Sequence, residues 1–339
     1  MQRGHHQNVP GKRAPVFRLR LLAWYDAHAR DLPWRKNRDP YPVWVSEIML
    51  QQTRVAAVIQ HYDDFLRRFP TVEKLARARQ SSVLAAWSGL GYYRRARMLH
   101  AAAKMIVREL HGKFPQTSGD WRELPGIGRY TCAAIASIAC DEPIAVVDGN
   151  VARVLSRVSS RRLSEQQVWH AAEDLLDRER PGDFNQAMME LGATVCTPKA
   201  PACLLCPVVE LCATRGDLPG ETKALPQKKR EIHYALDHHS ENGRPARVFL
   251  LQRPRDASLM PGMWELPEIS SPGDHAKPLF KVKHSITVTD YTVSVWSSSP
   301  SNHTAGKWIA VRQLPKLAMT GLARKILRKA GVTKSAGVR

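Results

Sequence analysis

Leu124-Pro125-Gly126-Ile127-Gly128 runs into a helical pattern that opens at Arg129 or Tyr130 and continues to Ala139. A glycine turn just ahead of a helix N-terminus presents backbone N–H groups to an anion, and a nucleic-acid phosphate is one. Gly126, Gly128 and Arg129 are therefore candidate phosphate contacts, with Arg122 as a second basic flank. An ordinary turn between two helices explains the same letters, so the surroundings must decide.

Those surroundings are helical. Val45, Ile48, Met49, Val55, Ala56, Ile59, Tyr62, Leu66 and Phe69 recur at helical spacing, which predicts a long amphipathic helix ended near Pro70. Further helical patterns cover 81–87, 94–110, 130–139, 151–158, 166–177 and 185–192, without a fixed solenoid period. Residues 16–215 thus read as an all-α domain. Pro219, Gly220, Pro226 and the run Lys228-Lys229-Arg230 mark 216–231 as a linker. Beyond it the period shifts to two: 247–252 and 291–296 read as strands, and 317–330 as a closing helix. The second domain, 232–332, is α+β. Residues 1–15 read as a disordered basic tail and 333–339 as a second tail.

Lys and Arg total 51 against 31 Asp and Glu, a formal charge of +20 over 339 residues. A polyanion is the natural partner, with a merely basic surface as the alternative. The polar, basic start does not resemble a signal peptide, and no run reaches the ~18 apolar residues of a membrane span. A cytoplasmic setting, in a bacterial cytosol or associated with the nucleoid, is expected, with no membrane contact and a monomeric state.

Of six cysteines, four form Cys196-x6-Cys203-x2-Cys206-x5-Cys212. Four thiolates on one compact loop can enclose a tetrahedral zinc or a [4Fe–4S] cluster, and spacing alone leaves both open. Cys132 and Cys140, in an alanine-rich stretch, read as structural thiols. Two acids complete the candidates. Glu47 lies off the apolar stripe of its helix, where a solvated surface glutamate is the plain alternative. Asp148, in Val146-Val147-Asp148-Gly149-Asn150, meets a helix start and could be only its N-cap.

These features converge on a family. Leu32-Pro33-Trp34-Arg35, the stretch from Ser46 to Thr53, Gly89-Leu90-Gly91-Tyr92-Tyr93, Leu124 to Gly128, Asp148-Gly149-Asn150, Phe184 to Gly192 and the cysteine loop occur in this order. From Leu21 to about Leu327 the chain resembles the MutY adenine DNA glycosylases, within the helix–hairpin–helix superfamily that also holds endonuclease III. The resemblance implies an N-terminal helix–hairpin–helix glycosylase domain whose loop 196–212 holds a [4Fe–4S] cluster, and a C-terminal MutT-like (Nudix-like) domain. It implies that Glu47 protonates the leaving adenine, that Asp148 stabilises the sugar cation, and that Asn150 and Tyr130 support them. Two carboxylates in different environments suit those two roles. Gln52 and Tyr92 match residues that enter the opened base stack, while Trp34, Arg35 and Glu190 match positions around an extruded base.

Endonuclease III relatives carry a lysine amine just after the hairpin; here that position is Tyr130, which cannot form a Schiff base. The resemblance therefore implies a monofunctional glycosylase with little or no lyase activity, acting on double-stranded DNA with A:8-oxoguanine or A:G mispairs. In the C-terminal part, 247–254 and 262–267 match the MutT-like domain, but Ser270, Ser271, Pro272 and Gly273 replace an acid-rich Mg²⁺-binding helix. Recognition rather than hydrolysis is expected there. The family's Phe-Ser-His lesion loop is replaced by Ile286-Thr287-Val288, which leaves Thr287 as the hydroxyl. An endonuclease III-like glycosylase/lyase and a non-catalytic mismatch-binding protein are the competing readings.

Overall fold

The computed structural model describes residues 13–218, 228–241, 243–257, 259–271, 277–286, 289–299 and 305–333. Thr287 and Val288, most of the linker and most of both tails lie outside the described residues. Up to residue 218 the chain forms α1 (Ala14–His28), α2 (Pro40–Leu50), α3 (Val55–Arg68), α4 (Val72–Arg77), α5 (Gln80–Ala86), α6 (Arg94–Glu109), α7 (Ser118–Arg122), α8 (Arg129–Ala139), α9 (Gly149–Val158), α10 (Glu165–Leu175) and α11 (Pro181–Thr194). Helix α1 opens inside the stretch read as a tail, with Pro15 in its first turn, where an N–H has no intrahelical partner anyway.

The single long helix expected over 45–69 is instead α2 and α3. Gln52 between them takes left-handed backbone (φ 54°), which a right-handed helix cannot contain. Apolar spacing carries across the break because residues on either side are buried, so periodicity alone could not reveal it. The break leaves Gln52 exposed.

Two compact units divide the chain. One holds the described residues to Gln52, 71–73 and 101–218; the other holds 53–70, 74–100 and the described residues from 228 onward. In the first, α1, α9, α10 and α11 share a core that includes Phe17, Leu21, Val154, Leu155, Leu175, Phe184 and Leu191. Burying each such side chain contributes about 1.5–3 kcal/mol.

The second unit pairs helical residues with two sheets. These are built from β1 (Lys228–Leu236), β2 (His238–Glu241), β3 (Arg244–Gln252), β4 (Trp264–Glu265), β5 (Glu268–Ile269), β6 (Phe280–Ile286), β7 (Thr289–Ser297) and β8 (Gly306–Ala310). One sheet runs β5-β1-β7-β6, with β1 and β7 parallel; in the other β3 pairs with β2, β4 and β8. Helix α12 (Gly321–Lys329) closes the core, with Ile326 and Leu327 packed among Val248, Leu250, Val293 and Val295. The boundary between the units does not follow the linker. Residues 74–100 side with the sheets because Ser88 Oγ and Tyr93 OH both donate to the buried Met319 carbonyl, at 2.8 and 2.9 Å. Arg97 likewise donates to the Pro261 carbonyl. Among the described residues no helix is long and apolar enough to cross a membrane.

Candidate active site

Glu47 is buried, at 5% exposure, rather than solvated. Helix α2 buries Tyr41, Val43 to Ile48 and Met49, so it has no solvent side at this point and its one acid goes inside with the rest. Glu47 Oε2 accepts a 3.0 Å hydrogen bond from Tyr130 OH, on the first turn of α8. Burial pushes the Glu47 carboxyl up to about 7; the Tyr130 bond draws it down, the charge of Asp148 raises it, and Arg35 opposes. The Tyr130 phenol is itself pushed well above its ordinary value, by burial first and then by Glu47 and Asp148. Glu47, Tyr130, Asp148 and Arg35 are thus one electrostatic group, although they come from four parts of the chain.

Asp148 is the N-cap of α9: Oδ1 accepts from the Val151 N–H and Oδ2 from Asn150 Nδ2, both at 2.8 Å. The capping reading and the functional one are therefore compatible, since the cap fixes where the carboxylate points. Asn150 is held in turn by Arg153, whose NH2 donates to Asn150 Oδ1 (2.8 Å) and to the Gly192 carbonyl (2.7 Å). The same guanidinium reaches the Cys196 carbonyl through Nε at 2.8 Å. Only glycine fits at 192, because a Cβ there would stand 2.5 Å from Asn150 Cβ.

Glu190, on α11 and 1% exposed, holds two arginines. Oε1 accepts from Arg30 Nε at 2.5 Å; Oε2 accepts from Arg30 NH2 at 2.8 Å and from Arg35 NH2 at 2.9 Å. Burial acts to raise this carboxyl, but the two guanidiniums outweigh it and leave it below the usual range. Arg35 also lies over the Tyr25 ring at 5.4 Å. Trp34 is buried beside it in the 3-10 turn Pro33–Arg35. Arg30 escaped sequence reasoning, because a lone arginine before an acidic residue carries no pattern.

Gly126 (φ 81°) makes the hairpin turn, and Gly128 is the N-cap of α8 with open space where a Cβ would go. Arg129 is exposed and stacks on Trp169, with its guanidinium carbon 3.8 Å from the ring centroid. Trp169, on α10, has no counterpart in the sequence reading. Gln52 and Tyr92 are both exposed and both in left-handed backbone, at φ 54° and 46°. Cys132 is buried and Cys140 half-buried, as structural thiols would be.

Cys196, Cys203, Cys206 and Cys212 line one cavity, together with Val154, Arg157, Leu191 and Val208. Arg157 is buried and donates NH1 to Cys196 Sγ at 3.5 Å, and the Arg215 N–H points at Cys212 Sγ at 3.4 Å. Burial pushes the Cys206 thiol up to about 11, and the other three cysteines add to the push. Four thiolates lining one cavity would need a positive group among them. Among the described residues, no group of three or more His, Cys, Asp or Glu is placed to hold a metal ion.

Residues 45–178 match the HhH-GPD superfamily of base excision DNA repair proteins. The chain is 34% identical to a human adenine DNA glycosylase over 92% of its length and 73% of that protein's. The rat adenine DNA glycosylase is 35% identical, over 92% of this chain and 77% of the relative. Among solved structures, a thermostable thymine-DNA glycosylase aligns with a TM-score of 0.57 and 30% identity, covering 60% of this chain and 97% of that one. A non-covalent endonuclease III–DNA complex aligns at 0.54 with 20% identity, over 61% and 97%, and establishes likeness of fold. The N-terminal part has the helical HhH-GPD fold, and the chain belongs to the MutY family of adenine DNA glycosylases.

Proposed function

We propose that the chain is a monofunctional glycosylase that removes adenine from A:8-oxoguanine and A:G mispairs in duplex DNA. What carries the proposal is a buried carboxyl pushed up to about 7 that shares one electrostatic group with a second, oriented carboxylate. Hydrolysis of an N-glycosidic bond builds positive charge on the sugar and negative charge on the leaving base. Glu47, protonated in a substantial fraction of molecules near neutral pH, delivers a proton to the base. Asp148, held at both oxygens and sited at a helix N-terminus, presents its carboxylate to the sugar cation. Water completes the hydrolysis. Tyr130 positions the Glu47 proton through its hydrogen bond, and Asn150 holds Asp148.

The target base must leave the duplex to reach these groups. Gln52 and Tyr92, exposed on left-handed turns, fill the opened stack; the pair Trp34 and Arg35, with Glu190 behind them, borders the extruded base. The hairpin Gly126–Gly128 and Arg129 grip the phosphate backbone. Cys196, Cys203, Cys206 and Cys212 would hold a [4Fe–4S] cluster, whose iron charge offsets their thiolates and which braces the loop. All four cysteines line one cavity, and the family resemblance of the loop favours a cluster over zinc. The sheet-bearing C-terminal part would serve, as a Nudix-like recognition domain, to check for 8-oxoguanine, with Thr287 as its candidate hydroxyl.

The deciding experiment is incubation with a duplex carrying adenine opposite 8-oxoguanine, followed by alkali to reveal abasic sites. Wild type should yield cleaved strand and Glu47→Gln should bind without yielding it. Equal, negligible release by both would favour a binding protein. High-yield borohydride trapping of a covalent adduct would overturn the monofunctional assignment. Equal rates opposite guanine and 8-oxoguanine, unchanged by Thr287→Ala, would remove the lesion-checking role.

A further inference from the structure

The turn from Ser88 to Tyr93 is held by side chains that have no part in the chemistry described so far. Gly89 (φ 117°), Gly91 (φ 70°) and Tyr92 (φ 46°) all occupy left-handed backbone. For a tyrosine that conformation costs about 1–2 kcal/mol, so its surroundings must maintain it. Tyr92 nevertheless stays 42% exposed.

Arg95, in the first turn of α6, is the main restraint. Its NH2 donates to Thr53 Oγ1 (2.9 Å) and to the carbonyls of Leu90 (3.1 Å) and Gly91 (3.3 Å). Its guanidinium carbon lies 5.4 Å from the Trp87 ring and 5.5 Å from the Tyr92 ring. Trp87 Nε1 donates to the same Gly91 carbonyl at 3.1 Å. At the far end, His61 on α3 has Nδ1 2.8 Å from the Ala57 carbonyl and Nε2 3.2 Å from the Ser88 carbonyl. The imidazole occupies the space a side chain at 89 would need: a Cβ there would fall 2.7 Å from Nε2. Within the basic run 94–97, Arg95 is therefore spent on the protein's own backbone rather than offered to a polyanion.

We propose that Arg95 is a positioning residue for Tyr92, with His61 fixing the opposite end of the same turn. Together they hold the aromatic ring outward before DNA arrives, so that no ordering of the turn is needed when the stack opens. The inference rests on the reading of Tyr92 as a stack-entering residue, and the test separates the two.

Base release is followed under single-turnover conditions on a duplex with adenine opposite 8-oxoguanine and 2-aminopurine beside the adenine, so that unstacking is read by fluorescence. Arg95→Lys keeps the charge but loses the planar fork, and His61→Phe keeps the ring but loses its hydrogen bonds. Each should slow unstacking and base release together, by roughly tenfold, within the range of coupled neighbours. In a Tyr92→Ala background neither should change the rate by more than about twofold. Fully additive losses in the double variants would overturn the positioning role. No effect of Tyr92→Ala alone on unstacking would instead sink the reading of Tyr92. Should Arg95→Lys fail to fold, the His61→Phe pair of measurements decides by itself.

Discussion

Glu47→Gln offers a quantitative test that needs no DNA. The carboxyl sits at about 7 in the folded chain against an ordinary 4.5, because burial favours its neutral form. A group raised on folding stabilises the native state fully below its unfolded value, and that stability is lost as pH climbs through the folded value. Between roughly pH 4.5 and 7 the wild-type protein should therefore lose stability on account of this one side chain. At about 1.4 kcal/mol per pKa unit the loss comes to about 3 kcal/mol, reached above pH 8. Glutamine keeps the shape and still accepts from Tyr130, but it has no charge to bury. Urea titrations of wild type and Glu47→Gln from pH 5 to pH 8.5 should thus diverge, with the variant gaining up to about 3 kcal/mol at the alkaline end. The rate constant for base release by wild type should fall across the same interval as the proton is lost. A stability difference that stays flat from pH 5 to 8.5 would refute the reasoning, whatever the activity does.

Gly192→Ala should push Asn150 off Asp148, since its Cβ would overlap Asn150; we expect about 1–3 kcal/mol of destabilisation and at least a tenfold slower single-turnover release. Glu190→Gln leaves two guanidiniums without their carboxylate. We expect a loss of about 2 kcal/mol by urea titration, below that of a wholly enclosed pair because Arg30 keeps access to water. Trp169→Ala removes the platform under Arg129 and should weaken duplex binding about two- to fivefold, read by fluorescence anisotropy, with an unchanged salt slope. An affinity equal to wild type would detach Trp169 from the DNA-facing surface.

Much of the first unit was legible because its signals are local. The hairpin glycines, the Asp148 cap and the cysteine spacing each depend on a few adjacent residues, and the helices after residue 80 fall within a few positions of their apolar patterns. What escaped depends on tertiary contact. The burial of Glu47 follows from neighbours on every side of α2, which no single-helix stripe encodes. The interruption at Gln52 left the apolar spacing intact, so two helices read as one. Arg30 and Trp169 gain their roles from partners 160 and 40 residues away. The affiliation of residues 74–100 with the sheets rests on bonds to distant carbonyls, those of Met319 and Pro261.

That last feature bears on how the protein can be dissected. Severing the polypeptide after residue 218 would retain both acids yet strand the Ser88 and Tyr93 hydroxyls, two sequestered donors deprived of their shared acceptor. The sheet-bearing half is thus no detachable accessory: an early piece of the polypeptide is completed only by the late one, and a shortened chain would bare to water a surface made to be covered.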